Sequence, residues 1–154
     1  MSLPDEIFNA AFNSDAMLTE GEDTAWAEGC EQVAFKHVDT VKKWLDAGGD
    51  VNATNSGLTM LIAAAAVGNT ALVSLLIEHK AKLDEREPGE GGAPAKGIIA
   101  LDNAAMKGNI ESVKALLAAG ARIDIKSFDG QTILEWLETN DLNPKVATLL
   151  KEYR

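Results

Sequence analysis

An all-α solenoid of stacked helix-turn-helix units is predicted by a phrase this chain writes twice, 40 residues apart. Gly68-Asn69 opens a stretch that closes on Leu75-Leu76-Ile77 and then Ala81-Lys82-Leu83-Asp84. Gly108-Asn109 opens another that closes on Ala115-Leu116-Leu117 and then Ala121-Arg122-Ile123-Asp124. An earlier partial copy reads Val41, Trp44-Leu45, then Asp46-Ala47-Gly48-Gly49-Asp50-Val51-Asn52. A fourth start, Asp129-Gly130-Gln131-Thr132-Ile133-Leu134, echoes Ser56-Gly57-Leu58-Thr59-Met60-Leu61. From Asn52 to Asp84 is 32 residues, and from Gly57 to Gly130 is 73, two periods of about 33 with 7 to spare. One such unit cannot bury its own apolar face. Stacked neighbours bury it, so three or more repeats form the stable object.

Each element follows from its residues. The segment Asp5-Glu6-Ile7-Phe8-Asn9-Ala10-Ala11-Phe12 has the apolar spacing of a first helix, and Trp26 to Phe35 reads as a second, leading into His37-Val38-Asp39-Thr40-Val41. Residues 1–36 are expected to be an atypical capping region with an inserted stretch at 13–24, because one face of a terminal repeat meets water. Residues 37–53 form the second half of the first clear repeat. In the next repeat, 54–86, Gly57 supplies a turn and Thr59 caps a short helix of small residues, Leu61 to Val67, ending at Gly68. Small side chains let helices approach closely. Ala71, Leu72, Val73, Leu75, Leu76 and Ile77 then mark a second helix, with Lys80 standing where the following repeat has the terminator Gly120. Residues 87–126 form a repeat preceded by a Gly- and Pro-rich loop, Glu85 to Gly97, expected to be mobile rather than an extra element. Residues 127–154 are the C-terminal capping repeat. There Asn143-Pro144 opens the last helix with Pro in its first turn, Val146, Leu149 and Leu150 face inward, and Lys145, Lys151, Glu152 and Arg154 stay in water.

Taken in register, these residues resemble the ankyrin repeat, whose pattern runs Asp-Gly-x-Thr-Pro-Leu-His, Ala-Ala, Gly, Val-Val, Leu-Leu, Gly-Ala-Asp-Val-Asn. The resemblance covers 37–154 clearly and 5–36 faintly, and implies a single ankyrin-repeat solenoid with hairpin-like loops between its helix pairs. The Thr-Pro-Leu-His box departs from the pattern: it reads Thr59-Met60-Leu61-Ile62, Ile99-Ala100-Leu101-Asp102 and Thr132-Ile133-Leu134-Glu135, so no copy keeps the Pro or the His. Loss of those polar ties between neighbours is expected to lower stability.

Composition narrows the class. The chain has 154 residues, 46% hydrophobic but only 5% aromatic, enough for one domain with a sizeable core of close-packed short helices. No apolar run is long enough for a membrane span, and the start, Met-Ser-Leu-Pro-Asp-Glu, has no basic region leading into an apolar one. Cys30 is the single cysteine, which together with those features leads to the expectation of a cytoplasmic protein. Asn52-Ala53-Thr54 matches a glycosylation acceptor by chance in that setting. The formal net charge is −10, and residues 1–35 hold eight acids with no Lys or Arg. Such a block repels nucleic acid and anionic membrane. It either keeps an end repeat soluble or attracts a basic partner.

Chemistry-bearing residues are few. His37 and His79 lie 42 residues apart, and with Cys30 they lack the spacing of a metal site. The Gly89–Gly97 run has neither the strand nor the Gly-Lys-Ser/Thr ending of a phosphate loop, and Asp84, Glu85, Glu87 and Glu90 lack the spacing of a calcium loop. Ser74 falls mid-helix, outside any nucleophile motif. Asp102 and Glu135 replace the family His one repeat apart; a hydrogen-bonded structural role outweighs a carboxylate pair. Trp26, Trp44 and Trp136 read as packing residues. No catalytic residue, metal ligand or cofactor is expected.

What the resemblance implies is a recognition surface on hairpin tips and the inner face of the first helices. By register those positions are Asn55, Ser56, Leu58, Ala66 and Val67, then Lys96, Ile98, Met106 and Lys107, then Phe128, Asp129 and Gln131. Leu58, Val67, Ile98, Met106 and Phe128 are apolar where the register expects solvent, which marks an interaction site unless they turn inward onto neighbouring hairpins. The lengthened finger at 85–97 is either part of that surface or a tolerated insertion. The expected function is a non-enzymatic, monomeric module that binds a protein partner, with no nucleic acid or membrane. Its alternatives are an acidic inhibitor or immunity-type protein for a basic enzyme, a self-associating scaffold, and a ligand-binding or catalytic domain using Asp102 and Glu135.

Overall fold

In the computed structural model the described residues are Pro4, 38–55, 58–86, 97–127 and 129–153. The expectations for the N-terminal cap, His37, the finger at 87–96, Phe128 and Arg154 lie outside them. Helical residues 38–46 (α1) lead through a turn to a hairpin of two short strands, β1 (Thr54–Asn55) and β2 (Leu58–Thr59), paired antiparallel with Thr54 opposite Thr59. Three helix pairs follow: α2 (Met60–Val67) with α3 (Thr70–Glu78), α4 (Ala100–Lys107) with α5 (Ile110–Ala118), and α6 (Ile133–Thr139) with α7 (Pro144–Glu152). The first helices stack as one row, α2 on α4 on α6, and the second helices as another, α3 on α5 on α7. An antiparallel bridge from Lys126 to Thr132 repeats the hairpin before α6.

Helix α2 explains why the core needs alanine. Met60 to Ala65 are all buried, so this helix has neighbours on every side and no polar face. Ala63, Ala64 and Ala65 let α3 and α4 come close, while Leu72, Leu76, Leu101, Leu116 and Leu137 supply bulk. Each such leucine contributes roughly 2 kcal/mol of burial. Val41 and Leu45 of α1 join the same core, and Val146 and Leu150 close it on α7 with Leu149 half-buried beside them.

The helix ends are set by local chemistry. Thr59 Oγ1 accepts from Ile62 N at 3.2 Å, as its position predicts, and Thr132 caps α6 the same way. First helices stop at Gly68 (φ 76°) and Gly108 (φ 71°), and the amides of Asn69 and Asn109 bond back to Ala64 O and Ala104 O. Second helices stop at Gly48, Lys80 and Gly120, all with positive φ, and the next amides return to Trp44 O, Leu76 O and Leu116 O. Lys80, at φ 64°, holds a conformation that costs a residue with Cβ about 1 kcal/mol.

Polar ties between neighbouring pairs are present, but not in the Thr-Pro-Leu-His box. They start from the N-caps of the second helices. Asn109 Nδ2 donates to Gly68 O (3.0 Å) and Thr70 Oγ1 (2.9 Å), and Asn143 Nδ2 donates to Ala105 O (3.0 Å) and Met106 O (2.9 Å). In both cases an amide reaches the carbonyl end of the first helix before it, where backbone acceptors lack helical partners. A second set joins the loops: Lys82 N donates to Asn52 Oδ1 (2.7 Å) and Arg122 N to Asp84 Oδ1 (3.1 Å). These bonds tie neighbouring pairs together at positions other than the Thr-Pro-Leu-His box.

Candidate functional site

A cleft of about 200 Å³ opens where α4 meets α6 and the hairpin before it. One wall comes from α4 and the residues leading into it: Asp102 and Met106, one turn apart on the helix, with Ile98 just before its N-cap. Opposite stand Thr132, Ile133 and Trp136, with Ser127, Asp129 and Gln131 on the hairpin rim. Most of the lining is apolar; of its two acids Asp102 is 6% exposed and Asp129 is exposed.

Asp102 occupies the third position of α4, and its Oδ2 accepts from Ile99 N at 3.0 Å, closing the helix start from a position where an isoleucine N-cap has no oxygen to offer. Its Oδ1 has no hydrogen-bond partner among the described residues. Burial drives the Asp102 carboxyl up to about 6, against the bond from Ile99 N and the positive charge of Arg86. Arg86 does not pair with it: its Nη1 donates to Lys126 O at 3.1 Å. On the rim the opposite holds. The Ser127 hydroxyl, and then the Gln131 amide, donate to Asp129 and keep its carboxyl below the usual range.

Glu135 holds the equivalent third position of α6, accepting from Thr132 N at 2.8 Å. It is exposed and does not line the cleft. The two acids therefore cap separate helices, the hydrogen-bonded role expected of them.

Of the positions expected on the recognition surface, the cleft gathers Ile98, Met106, Asp129 and Gln131. Leu58, Ala66 and Val67 belong to the preceding pair, and exposed Lys107 ends α4 outside the lining. Asn55 is placed by its backbone pairing with Leu58, while Ser56, Lys96 and Phe128 are not among the described residues. The expectation that Leu58, Val67, Ile98 and Met106 stand exposed is corrected: all four are half-buried, and Leu58 and Met106 pack against the core. Among the described residues the large apolar side chains that stand exposed are Leu142 (43%) and Tyr153 (48%), after α6 and after α7. Sequence reasoning gives Trp136 as a packing residue and Asp102 as a hydrogen-bonded structural acid, with a ligand-binding role beside Glu135 as the alternative, and it pairs neither of them with the other. Their shared cleft was detectable in principle from an acid at 102 between apolar residues at 98 and 106, one repeat away from apolar Ile133 and Trp136.

Among the described residues no group of three or more His, Cys, Asp and Glu could hold a metal ion, and no helix is long and apolar enough to cross a membrane.

The stacked pairs, their left-handed terminators and their hairpins define a helical repeat protein. A family profile described as ankyrin repeats (3 copies) matches residues 30–129, and the chain belongs to the ankyrin-repeat family. A mouse protein named ankyrin repeat and SAM domain-containing protein 6 is 34% identical over 102 residues, 65% of this chain. That match covers 11% of the mouse protein's length. Ankyrin repeats are in general protein-protein interaction modules, and the family is typically non-enzymatic.

Proposed function

We infer that this chain is a non-enzymatic module that binds a protein partner through the inner face of its first helices and the adjoining hairpins, with the α4–α6 cleft as its anchor point. The observation that carries this reading is the cleft itself. Four of the register-derived positions, Ile98, Met106, Asp129 and Gln131, meet there around an apolar hollow of side-chain size. Interfaces draw most of their affinity from a few such anchors, ringed by polar groups that exclude water. The half-burial of Ile98 and Met106 suits the role, because walls already fixed by packing lose little entropy on binding. Asn55, Ser56, Leu58, Ala66, Val67, Lys96, Lys107 and Phe128 extend the proposed surface along the solenoid.

The test is capture from lysate by the wild-type chain and by Ile98→Ala with Met106→Ala, both checked for folding. Proteins held by the first and released by the second support the reading; identical captures would refute it. An acidic inhibitor of a basic enzyme is a second reading, favoured by eight acids and no base in residues 1–35. It requires capture that high salt abolishes while the double substitution leaves it intact.

A further inference from the structure

We propose that the α4–α6 cleft receives a lysine side chain of the partner protein, its methylenes along Ile98, Met106, Ile133 and Trp136 and its ammonium on Oδ1 of Asp102. The inference rests on the protein-binding reading and specifies what the partner presents. It begins from an imbalance. Asp102 is 6% exposed, yet one of its two oxygens has no hydrogen-bond donor among the described residues and faces a mostly apolar hollow. That oxygen is not fully enclosed, since among the described residues Asn69 Nδ2 is the side-chain polar atom both wholly buried and unpartnered; a cation can reach it, and a charge-assisted bond in so apolar a hollow is stronger than one in water.

No cation of the chain takes that place among the described residues. Arg86 is the basic group felt by Asp102, but its Nη1 donates to Lys126 O and it makes no ion pair with Asp102 among the described residues. Helix α2, packed on the other side of α4, has no charged residue. On α5 the exposed Glu111 and Lys114 face each other at 3.9 Å. On α6 the first-turn acid, Glu135, is held on Thr132 N, and Asp129 on the rim adds a second negative charge at the mouth.

The geometry selects lysine over arginine. Oδ2 already accepts from Ile99 N, so Oδ1 alone lacks a donor among the described residues, whereas a guanidinium fork is matched to two unoccupied oxygens. An ammonium on a four-carbon stem needs one acceptor at the end of an apolar channel, with Gln131 and Asp129 near the entrance. The net charge of −10 favours approach of a cationic segment.

The experiment titrates the intact isotope-labelled chain with Nα-acetyl-lysine amide, and in parallel with the norleucine and arginine amides, following the Ile99 amide and the Trp136 indole N–H by NMR. Lysine is expected to give a saturable shift at both, with norleucine and arginine at least about tenfold weaker. Binding should fall about tenfold between pH ~7.5 and ~5, as the Asp102 carboxyl takes up its proton. Asp102→Asn keeps an acceptor for Ile99 N, and its spectrum reports whether it folds; it should lose the lysine response. The proposal is overturned if norleucine matches lysine, if Asp102→Asn binds lysine undiminished, or if no saturable shift occurs. Failure of the lysine probe alongside capture that depends on Ile98 and Met106 overturns the lysine inference alone. A lysine response without such capture overturns the partner half of the proposal and the protein-binding reading with it.

Discussion

At the scale of single residues the decisive one is Asp102. It caps α4, and the helix N-terminus favours its charge, but burial opposes that charge more strongly and lifts its carboxyl to about 6. A raised carboxyl stabilises the fold fully below the unfolded value, near 4, and that stabilisation disappears as pH rises through 6. Wild-type stability should therefore increase on acidification from pH ~7.5 to ~5, by roughly 1 to 3 kcal/mol. In Asp102→Asn the amide oxygen keeps the bond from Ile99 N without the charge, so the variant should be more stable than wild type at pH ~7.5 and flat over that window. Urea unfolding at the two pH values is the check. A wild type and variant with parallel pH profiles would show that Asp102 is not the group responsible. The acids at Asp46, Asp124 and Asp129 act in the opposite sense, since Lys42, Arg122 and Ser127 hold them low, and their contribution is lost only at more acidic pH.

At the scale of the element, the glycines that end the helices separate two kinds of constraint. Gly120 (φ 98°) has open space where a Cβ would go, so alanine there meets only the left-handed backbone penalty. Gly108 (φ 71°) carries that penalty and a neighbour: a Cβ would lie 2.7 Å from Asn143 Oδ1. Because Asn143 also donates to Ala105 O and Met106 O, displacing it breaks the tie between α7 and α4. Gly120→Ala should cost about 1 kcal/mol and Gly108→Ala about 3 kcal/mol, read as shifts in urea midpoint. Equal costs would mean that Asn143 moves aside freely. These elements also show what the sequence reveals. Gly68, Gly108 and Gly120 announce helix ends, because left-handed geometry is a local demand that glycine meets locally. The roles of Asn109 and Asn143 are hidden, because their amides act on carbonyls 37 to 41 residues earlier, a relation that exists only once the repeats stack. The cleft was half legible for the same reason. Register placed Ile98, Met106, Asp129 and Gln131 on one surface, but the burial of Asp102 depends on α6 lying across it.

At the scale of the whole molecule, stability in a solenoid is a sum of pairs and the junctions between them. Here the junctions differ. Helix α2 is buried on all sides, and α2–α3 packs on α4–α5 through an alanine-lined contact. The α6–α7 pair meets α4–α5 more sparsely, and part of the space between α4 and α6 is the cleft. The amides of α6 and α7 should therefore exchange through a partial opening, at lower free energy and with less denaturant dependence than those of α2. Native-state hydrogen exchange in sub-denaturing urea reads this directly; one common isotherm for α2, α6 and α7 would show the junctions to be equally strong. The same measurement connects stability to recognition. A ligand seated between α4 and α6 binds only while the junction is closed, so it must raise the opening free energy of α6–α7 by mass action. With Nα-acetyl-lysine amide at ten times its dissociation constant the increase is about 1.4 kcal/mol, and the same dose of norleucine amide should give much less. If α6–α7 protection ignores the lysine probe, a bound lysine would have to sit elsewhere than between these helices.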